Sequence, residues 1–294
     1  MTRPVTLTLA AAGLLLGTAA VAAVAGERRW RGATARAVAQ LDATAREGPL
    51  APFDPGALDG LPAPLARYLH FAIRPGRGGA RRMRVEHAGT FAARPGRWAP
   101  FTSVQHVAVD PPGFVWDAVI RMAPGLPVRV RDGYLAGEGA MAASVVGLVP
   151  MVDQHGTPEL AAGSLMRYLA EAAWLPSALF SRGVVWTPVN DSTARATLTD
   201  SGVTVALDLH FGPRGEILRV SGDRYRDVAG RGVLTPWEGR FSDYALRDGF
   251  VIPLEGEVAW LLPEGRTPYW RGRVVGVTYD DPRDGPRTPH PPSP

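Results

Sequence analysis

The amino-acid sequence predicts an α+β fold that is mostly antiparallel β: one large curved sheet, or half-barrel, of about ten strands, with a long inserted helix and N-terminal helices. From residue 83 onward, apolar residues recur at every second position in successive segments, which is typical of half-buried strands. The turns between these segments are too short for parallel crossover connections. Residues 157–175 interrupt the alternation with a helical pattern, and no linker divides residues 81–281.

The first element is an uncharged apolar run at residues 5–25, VTLTLAAAGLLLGTAAVAAVA. At about 1.5 Å per residue, a helix of this length covers roughly 30 Å, the thickness of a bilayer core. We therefore predict a transmembrane anchor or signal segment over residues 1–26, and we favour a retained single-pass anchor. The alternative is a secreted protein, because Arg3 and the stretch Ala23–Val24–Ala25 also fit a cleaved signal peptide.

Charges around this run give opposite indications of the membrane side. Arg28, Arg29 and Arg31 follow the run, whereas Arg3 precedes it, so the positive-inside rule favours a cytoplasmic folded domain. The export-like shape of the run favours the other side. We predict an extracytoplasmic domain in the cell envelope.

Residues 27–80 are predicted to be a helical lead-in and linker. Ala37, Leu41 and Ala45 have helical spacing within residues 33–46, and residues 61–73 have the pattern of a second, short helix. The stretch RPGRGGARR follows and is typical of a flexible loop.

The curved β domain is predicted over residues 81–281. The alternation is clear at residues 114–122, where Phe114, Trp116 and Ile120 share one face, and Asp132–Gly133 is predicted to form a hairpin turn. The Pro-rich residues 282–294 are predicted to be a disordered tail. The predicted strand segments are 83–91, 101–109, 114–122, 127–139, 183–189, 194–200, 203–211, 215–225, 237–246, 250–262 and 269–279.

The inserted helix has two distinct faces. Thr157 is a suitable N-cap, and the residue before Pro176 avoids helical geometry. Arg167, Glu171 and Trp174 are spaced i, i+4, i+7, opposite an aliphatic face. Either they form an exposed ion pair beside a wet Trp, or the helix covers the mouth of the curved sheet. In the second case, this face meets the N-terminal helices or a strand end.

Composition excludes several chemistries. The chain has no Cys, and all 32 basic residues are Arg, which excludes disulfides, thiolate catalysis, a phosphate-loop Lys and a Schiff-base Lys. The Arg residues are scattered among acidic residues, and no nucleic-acid recognition motif is present, so no nucleic-acid partner is expected. Zinc-site, dinucleotide-binding and nucleophile-elbow motifs are also lacking. We therefore predict neither a metal nor a cofactor.

Several phrases together resemble a bacterial family of membrane-anchored proteins known only as a domain of unknown function. They are LPAPLARYL, GFVWDAVIRMAPGLPVRVRDGYLAGEGAM, RYLAEAAWLPSAL and LTPWEGRFSDY, within residues 60–280. This resemblance implies no activity and no catalytic residues. At the level of the fold, the strand number and the inserted helix are similar to the lipoprotein-carrier half-barrels of the bacterial envelope, which bind acyl chains in a hydrophobic concavity.

These observations lead to one favoured function and two alternatives. We predict a membrane-anchored, non-enzymatic half-barrel that binds a lipid or other apolar ligand in its concavity. The alternatives are an envelope enzyme that uses carboxylates and Arg, and a structural envelope component with a filled interior. No catalytic residue is assigned. The candidate ligand-binding residues are Arg167, Glu171, Trp174, Trp116, Trp237 and Trp260.

Overall fold

The computed structural model describes residues 3–46, 55–123, 125–181 and 183–280, without the side chains of residues 3–16, Ala19, Pro55 and Ala57. The predicted disordered tail, residues 282–294, lies outside these ranges. The described residues form one antiparallel sheet of 13 strands with three α-helices. The predicted class is confirmed, although the number of strands exceeds the expected ten or so.

The strands form two meanders, β1–β6 and β7–β13, which are joined where β1 pairs with β13. The order across the sheet is β6-β5-β4-β3-β2-β1-β13-β12-β11-β10-β9-β8-β7. The strands are β1 Arg82–Arg94, β2 Arg97–Ala108, β3 Gly113–Ala123, β4 Leu126–Leu135, β5 Glu138–Val145, β6 Val149–His155, β7 Val184–Asn190, β8 Thr193–Asp200, β9 Val203–Phe211, β10 Ile217–Val228, β11 Arg231–Arg247, β12 Phe250–Leu262 and β13 Gly265–Tyr279.

The sheet curls until distant parts of the two meanders touch. The hydroxyl of Tyr134, near the end of β4, donates a hydrogen bond to Asp200 Oδ2 at the end of β8, at 2.8 Å. The β4–β5 turn also lies against the β8–β9 turn, where Gly137 contacts Ser201. The curvature encloses a concave face that carries most of the buried apolar side chains.

One predicted turn is wrong. Asp132 and Gly133 lie inside β4, and the chain reverses at Ala136 and Gly137 instead. Those two residues have φ values of 51° and 87°, as a two-residue type I′ hairpin turn requires. The dipeptide Asp–Gly favours such turns only where tertiary pairing does not hold it in a strand.

The helices are α1 Arg3–Thr44, α2 Ala63–Ala72 and α3 Pro158–Ala170. Helix α1 continues without a break past residue 26, the predicted end of the membrane segment. In the part of the chain with described side chains, no helix is sufficiently long and apolar to span a bilayer. Much of the predicted run at residues 5–25 lies outside that part, so the anchor stays a prediction.

Helices α1 and α3 lie on opposite faces of the sheet. Trp30 Nε1 of α1 donates to Asp117 Oδ1 at 3.0 Å, and Asp117 faces away from its buried neighbours Trp116 and Ala118. Helix α3 crosses the concave face and contacts strands of both meanders. Thr157 caps α3 as predicted, because its hydroxyl accepts the backbone N–H of Leu160 at 3.2 Å.

Candidate ligand-binding site

The candidate site lies on the concave face of β2, β3 and β4, where α3 covers the sheet. Gln105, Trp116 and Asp132 are paired in register and form a row across these three strands. Arg167 reaches the row from α3, and Glu171 follows in the 3-10 turn that continues this helix. We call these five residues the Arg167 cluster.

Arg167 connects the helix to the row of strand residues. Its Nη1 donates to Asp132 Oδ2 at 2.6 Å, and its Nε donates to Glu171 Oε1 at 2.8 Å. Gln105 Nε2 donates to the other Glu171 oxygen, Oε2, at 2.6 Å. The guanidinium carbon lies 4.8 Å from the centre of the Trp116 ring, a cation–π distance. The contacts of Arg167 with Asp132 and Trp116 therefore hold α3 against the sheet, and Glu171 adds to them through its hydrogen bond with Gln105.

The Arg167 cluster is enclosed and carries an excess of negative charge. The side chains of Arg167, Asp132 and Glu171 are exposed by only 17%, 13% and 18%. Burial lowers the pKa of Arg167, but the charges of Glu171 and Asp132 outweigh burial and raise that pKa above its usual range. One cation and two carboxylates leave a net negative formal charge.

Buried polar atoms in the Arg167 cluster and beside it lack hydrogen-bond partners among the described residues. They are both ring nitrogens of His87, the hydroxyl of Ser103 and the indole Nε1 of Trp116. His87 and Ser103 face each other directly across β1 and β2. Leaving such a group buried and unpaired costs about 1–3 kcal/mol. We call these the unpartnered polar atoms, and their cost requires an explanation.

His87 is surrounded by aromatic rings and is 1% exposed. Its ring centroid lies 4.6 Å from that of Trp174 and 5.7 Å from that of Trp270. Burial, with a smaller effect from the charge of Arg167, lowers the pKa of His87 to about 3. The imidazole is therefore neutral at physiological pH, with one nitrogen able to donate and the other able to accept.

The indole ring of Trp174 packs over the His87 ring on the concave face. Its indole Nε1 donates to the carbonyl of Pro253 at 3.0 Å, and its own carbonyl accepts the hydroxyl of Tyr279 at 2.7 Å. The face formed by Arg167, Glu171 and Trp174 is thus buried, which excludes an exposed ion pair beside a wet Trp. Arg167 and Glu171 meet side chains of β2–β4, whereas the Trp174 carbonyl meets Tyr279 at the end of β13, so the strand-end contact of this face is found at Trp174.

Trp237 and Trp260 form a separate group on the second meander. They are paired in register on β11 and β12, and Tyr269 contacts both. Arg224 donates to the Tyr269 hydroxyl and to the carbonyl of Gly163 in α3, each at 3.2 Å. The structure therefore divides the six predicted residues: four surround the concave face beneath the end of α3, and two lie near its beginning.

Sequence reasoning did not select Gln105, Asp132, His87 or Ser103 as ligand-binding candidates. The period-two pattern contained the necessary information, because each shares its parity with buried apolar neighbours on the same strand. Asp117, the next residue after Trp116, lies on the opposite face with Trp30. Among the described residues, no three His, Cys, Asp or Glu side chains are arranged to hold a metal.

A cavity of about 390 Å³ lies beside α3, where β9 and β10 separate. Their pairing stops at Ser221 and Asp208, although both strands continue beyond that point. Ala162 and Met166 of α3 and Gly222 of β10 form part of its lining. Since Met166 also belongs to the buried core, its side chain separates this cavity from the concave face.

Comparison with known proteins identifies a family and two solved structures that align with part of the chain. Residues 59–279 match the family of unknown function DUF6920, and no curated protein matches the chain. A LolA superfamily protein from Nitrosomonas europaea aligns with 76% of this chain and 93% of its own, at 13% identity and a TM-score of 0.39. A beta-barrel-like protein of the domain of unknown function DUF1849 from Brucella abortus aligns with 71% of this chain and 100% of its own, at 14% identity and a TM-score of 0.28.

The family match extends from just before α2 to the end of β13, so it includes the whole sheet, α3 and every residue of the Arg167 cluster. The sequence resemblance to a family known only as a domain of unknown function is therefore confirmed. The chain belongs to the DUF6920 family.

Proposed function

We propose that the protein binds one lipid or other apolar molecule in the concavity of its half-barrel, with the polar end of that molecule at the Arg167 cluster. The observation that carries this proposal is the set of unpartnered polar atoms on the concave face, which also carries most of the buried apolar side chains. His87, Ser103 and the Trp116 indole offer donors and acceptors in a dry environment. Such groups orient ligands in pockets lined by apolar side chains.

The net charge of the Arg167 cluster indicates which chemical groups suit the polar end of the ligand. Asp132 and Glu171 outnumber Arg167, so a phosphate or carboxylate there would face net repulsion. A neutral hydroxyl, amide or ester group, or an amino group, avoids that repulsion. We therefore propose a ligand with a neutral or amino-bearing polar end.

We propose that the ligand enters the concavity where β9 and β10 separate. The cavity there, of about 390 Å³, falls within the usual range of ligand pockets, roughly 300–1,000 Å³. Met166 lies between this cavity and the buried core. Its unbranched side chain adopts alternative rotamers readily, so it can move to admit an alkyl chain.

We also propose that residues 5–25 attach the protein to a membrane, with the folded domain outside the cytoplasm. The uncharged length of this segment supports attachment. The site itself depends only on the described β domain and α3, so the two proposals stand or fall separately.

Native mass spectrometry of the full chain, purified in detergent and released from it, tests ligand binding. We expect one additional lipid-sized mass per chain. In the variant Ala162→Phe, a ring fills the cavity beside α3, and we expect at least a tenfold loss of this bound mass.

The control is Val189→Phe, which adds the same ring at an exposed position on β7 and is expected to retain the bound mass. A wild-type chain that carries no stoichiometric lipid contradicts the proposal. Equal loss from both variants indicates non-specific adsorption and contradicts it as well.

A further inference from the structure

Five large apolar side chains are exposed together at the tips of two neighbouring hairpins. Met122 and Leu126 belong to the β3–β4 hairpin, whereas Leu148, Val149 and Met151 belong to the β5–β6 hairpin. Their exposed fractions range from 44% to 61%. Single exposed apolar residues are common on soluble surfaces, but a contiguous group marks an interaction surface. We call this group the apolar rim.

Helix α1 leaves the β domain at the apolar rim. Gly26 packs so closely against Leu148 that an added Cβ would lie 2.7 Å from that side chain. One turn further toward the C-terminus of the helix, Trp30 contacts Asp117 in the middle of β3. The helix therefore runs along the outer face toward the rim. Its preceding residues, 5–25, extend beyond the rim as the apolar run.

Basic side chains surround this exit point. Arg28 and Arg29 are exposed on α1 after Gly26 and Glu27, which follow the apolar run, and Arg121 is exposed beside Met122. Exposed Arg residues next to apolar side chains are typical of surfaces that contact anionic lipid headgroups. The charge and the hydrophobicity of this end of the domain therefore both favour contact with anionic lipids.

We infer that the apolar rim inserts into the surface of a lipid bilayer, beside the point where residues 5–25 enter it. This inference rests on the proposed membrane attachment. A bilayer is favoured over a second copy of the chain, because the rim is continuous with the apolar run and is flanked by exposed Arg. Two contacts with the membrane, the helix and the rim, would fix the orientation of the half-barrel, which one helix alone would not do.

The absence of native Cys allows a direct test with single labels. An environment-sensitive fluorophore is attached to Met151→Cys at the rim, and separately to Val189→Cys, an exposed apolar position on the edge strand of the other meander. The full chain is reconstituted into vesicles of phosphatidylethanolamine and phosphatidylglycerol, with and without nitroxide-labelled lipid. We expect a blue shift and at least twofold stronger quenching by nitroxide lipid at 151 than at 189.

The possible failures are distinguishable. Vesicle-bound protein with a water-exposed label at 151 overturns the rim contact and leaves membrane attachment intact. A blue-shifted label that nitroxide lipid does not quench indicates protein contact and also overturns the inference. A chain that does not bind vesicles at all overturns both the attachment and the rim contact.

Discussion

The variant Arg167→Met is expected to lose about 3–5 kcal/mol of unfolding free energy, because it leaves buried carboxylates without their cation. Asp132 and Glu171 both bind this guanidinium, at 2.6 and 2.8 Å, and both side chains are largely buried. The substitution also removes the only ion pair between α3 and β4 among the described residues. Denaturant titration of the full chain in mild detergent, followed by Trp fluorescence, measures the change.

Two further variants test the cause of this loss. Arg195 forms a bidentate pair with Asp208, but its side chain is 54% exposed, so Arg195→Met should cost at most about 1 kcal/mol. Adding Asp132→Asn and Glu171→Gln to Arg167→Met neutralises the buried carboxylates and should recover most of the lost stability. A loss below about 1 kcal/mol for Arg167→Met would show that solvent already screens the cluster.

Acid is expected to destabilise the wild-type protein more steeply than the variant His87→Leu. The unfolded chain protonates this imidazole near its ordinary pKa of 6.5, whereas burial lowers the pKa in the folded state to about 3. The contribution of His87 to the free energy of unfolding is therefore fully present above pH 6.5. It decreases as the pH falls and reaches its lowest value below about pH 3. Between these limits, the free energy of unfolding due to His87 changes by up to about 1.4 kcal/mol per pH unit.

Unfolding free energies measured across this range for both proteins isolate the effect, because acidic residues contribute equally to each curve. Leu has no polar atoms to leave unpaired, so His87→Leu should be at least as stable as wild type at neutral pH. His155→Leu is the control, since the His155 side chain is 75% exposed. Parallel pH profiles for wild type and His87→Leu would contradict a buried, neutral His87.

The fold class was predictable because the curved sheet buries one face of most strands. Alternation at residues 203–211, for example, corresponds closely to β9, in which Val205, Leu207 and Leu209 are buried. Strand β6 was not predicted, because it is an edge strand with little burial on either face and thus has no apolar period.

The candidate site was only partly predictable. Helical spacing placed Arg167, Glu171 and Trp174 on one face, and a large aromatic residue indicated burial. Their partners depend on long-range geometry: Asp132 lies 35 residues from Arg167 in sequence, and Gln105 lies 66 residues from Glu171. Only the curvature of the sheet and the path of α3 bring these residues together, and local patterns do not encode either.

The most direct test compares the lipid mass retained by His87→Leu and His106→Leu in native mass spectrometry. Both variants remove an imidazole from the first two strands, but His106 is next to Gln105 on β2 and so faces the outer side of the sheet. If the unpartnered polar atoms bind the polar end of an apolar ligand, His87→Leu should stay folded and lose at least tenfold of the bound lipid, while His106→Leu should match wild type. Full retention of bound lipid by a folded His87→Leu protein would contradict this account.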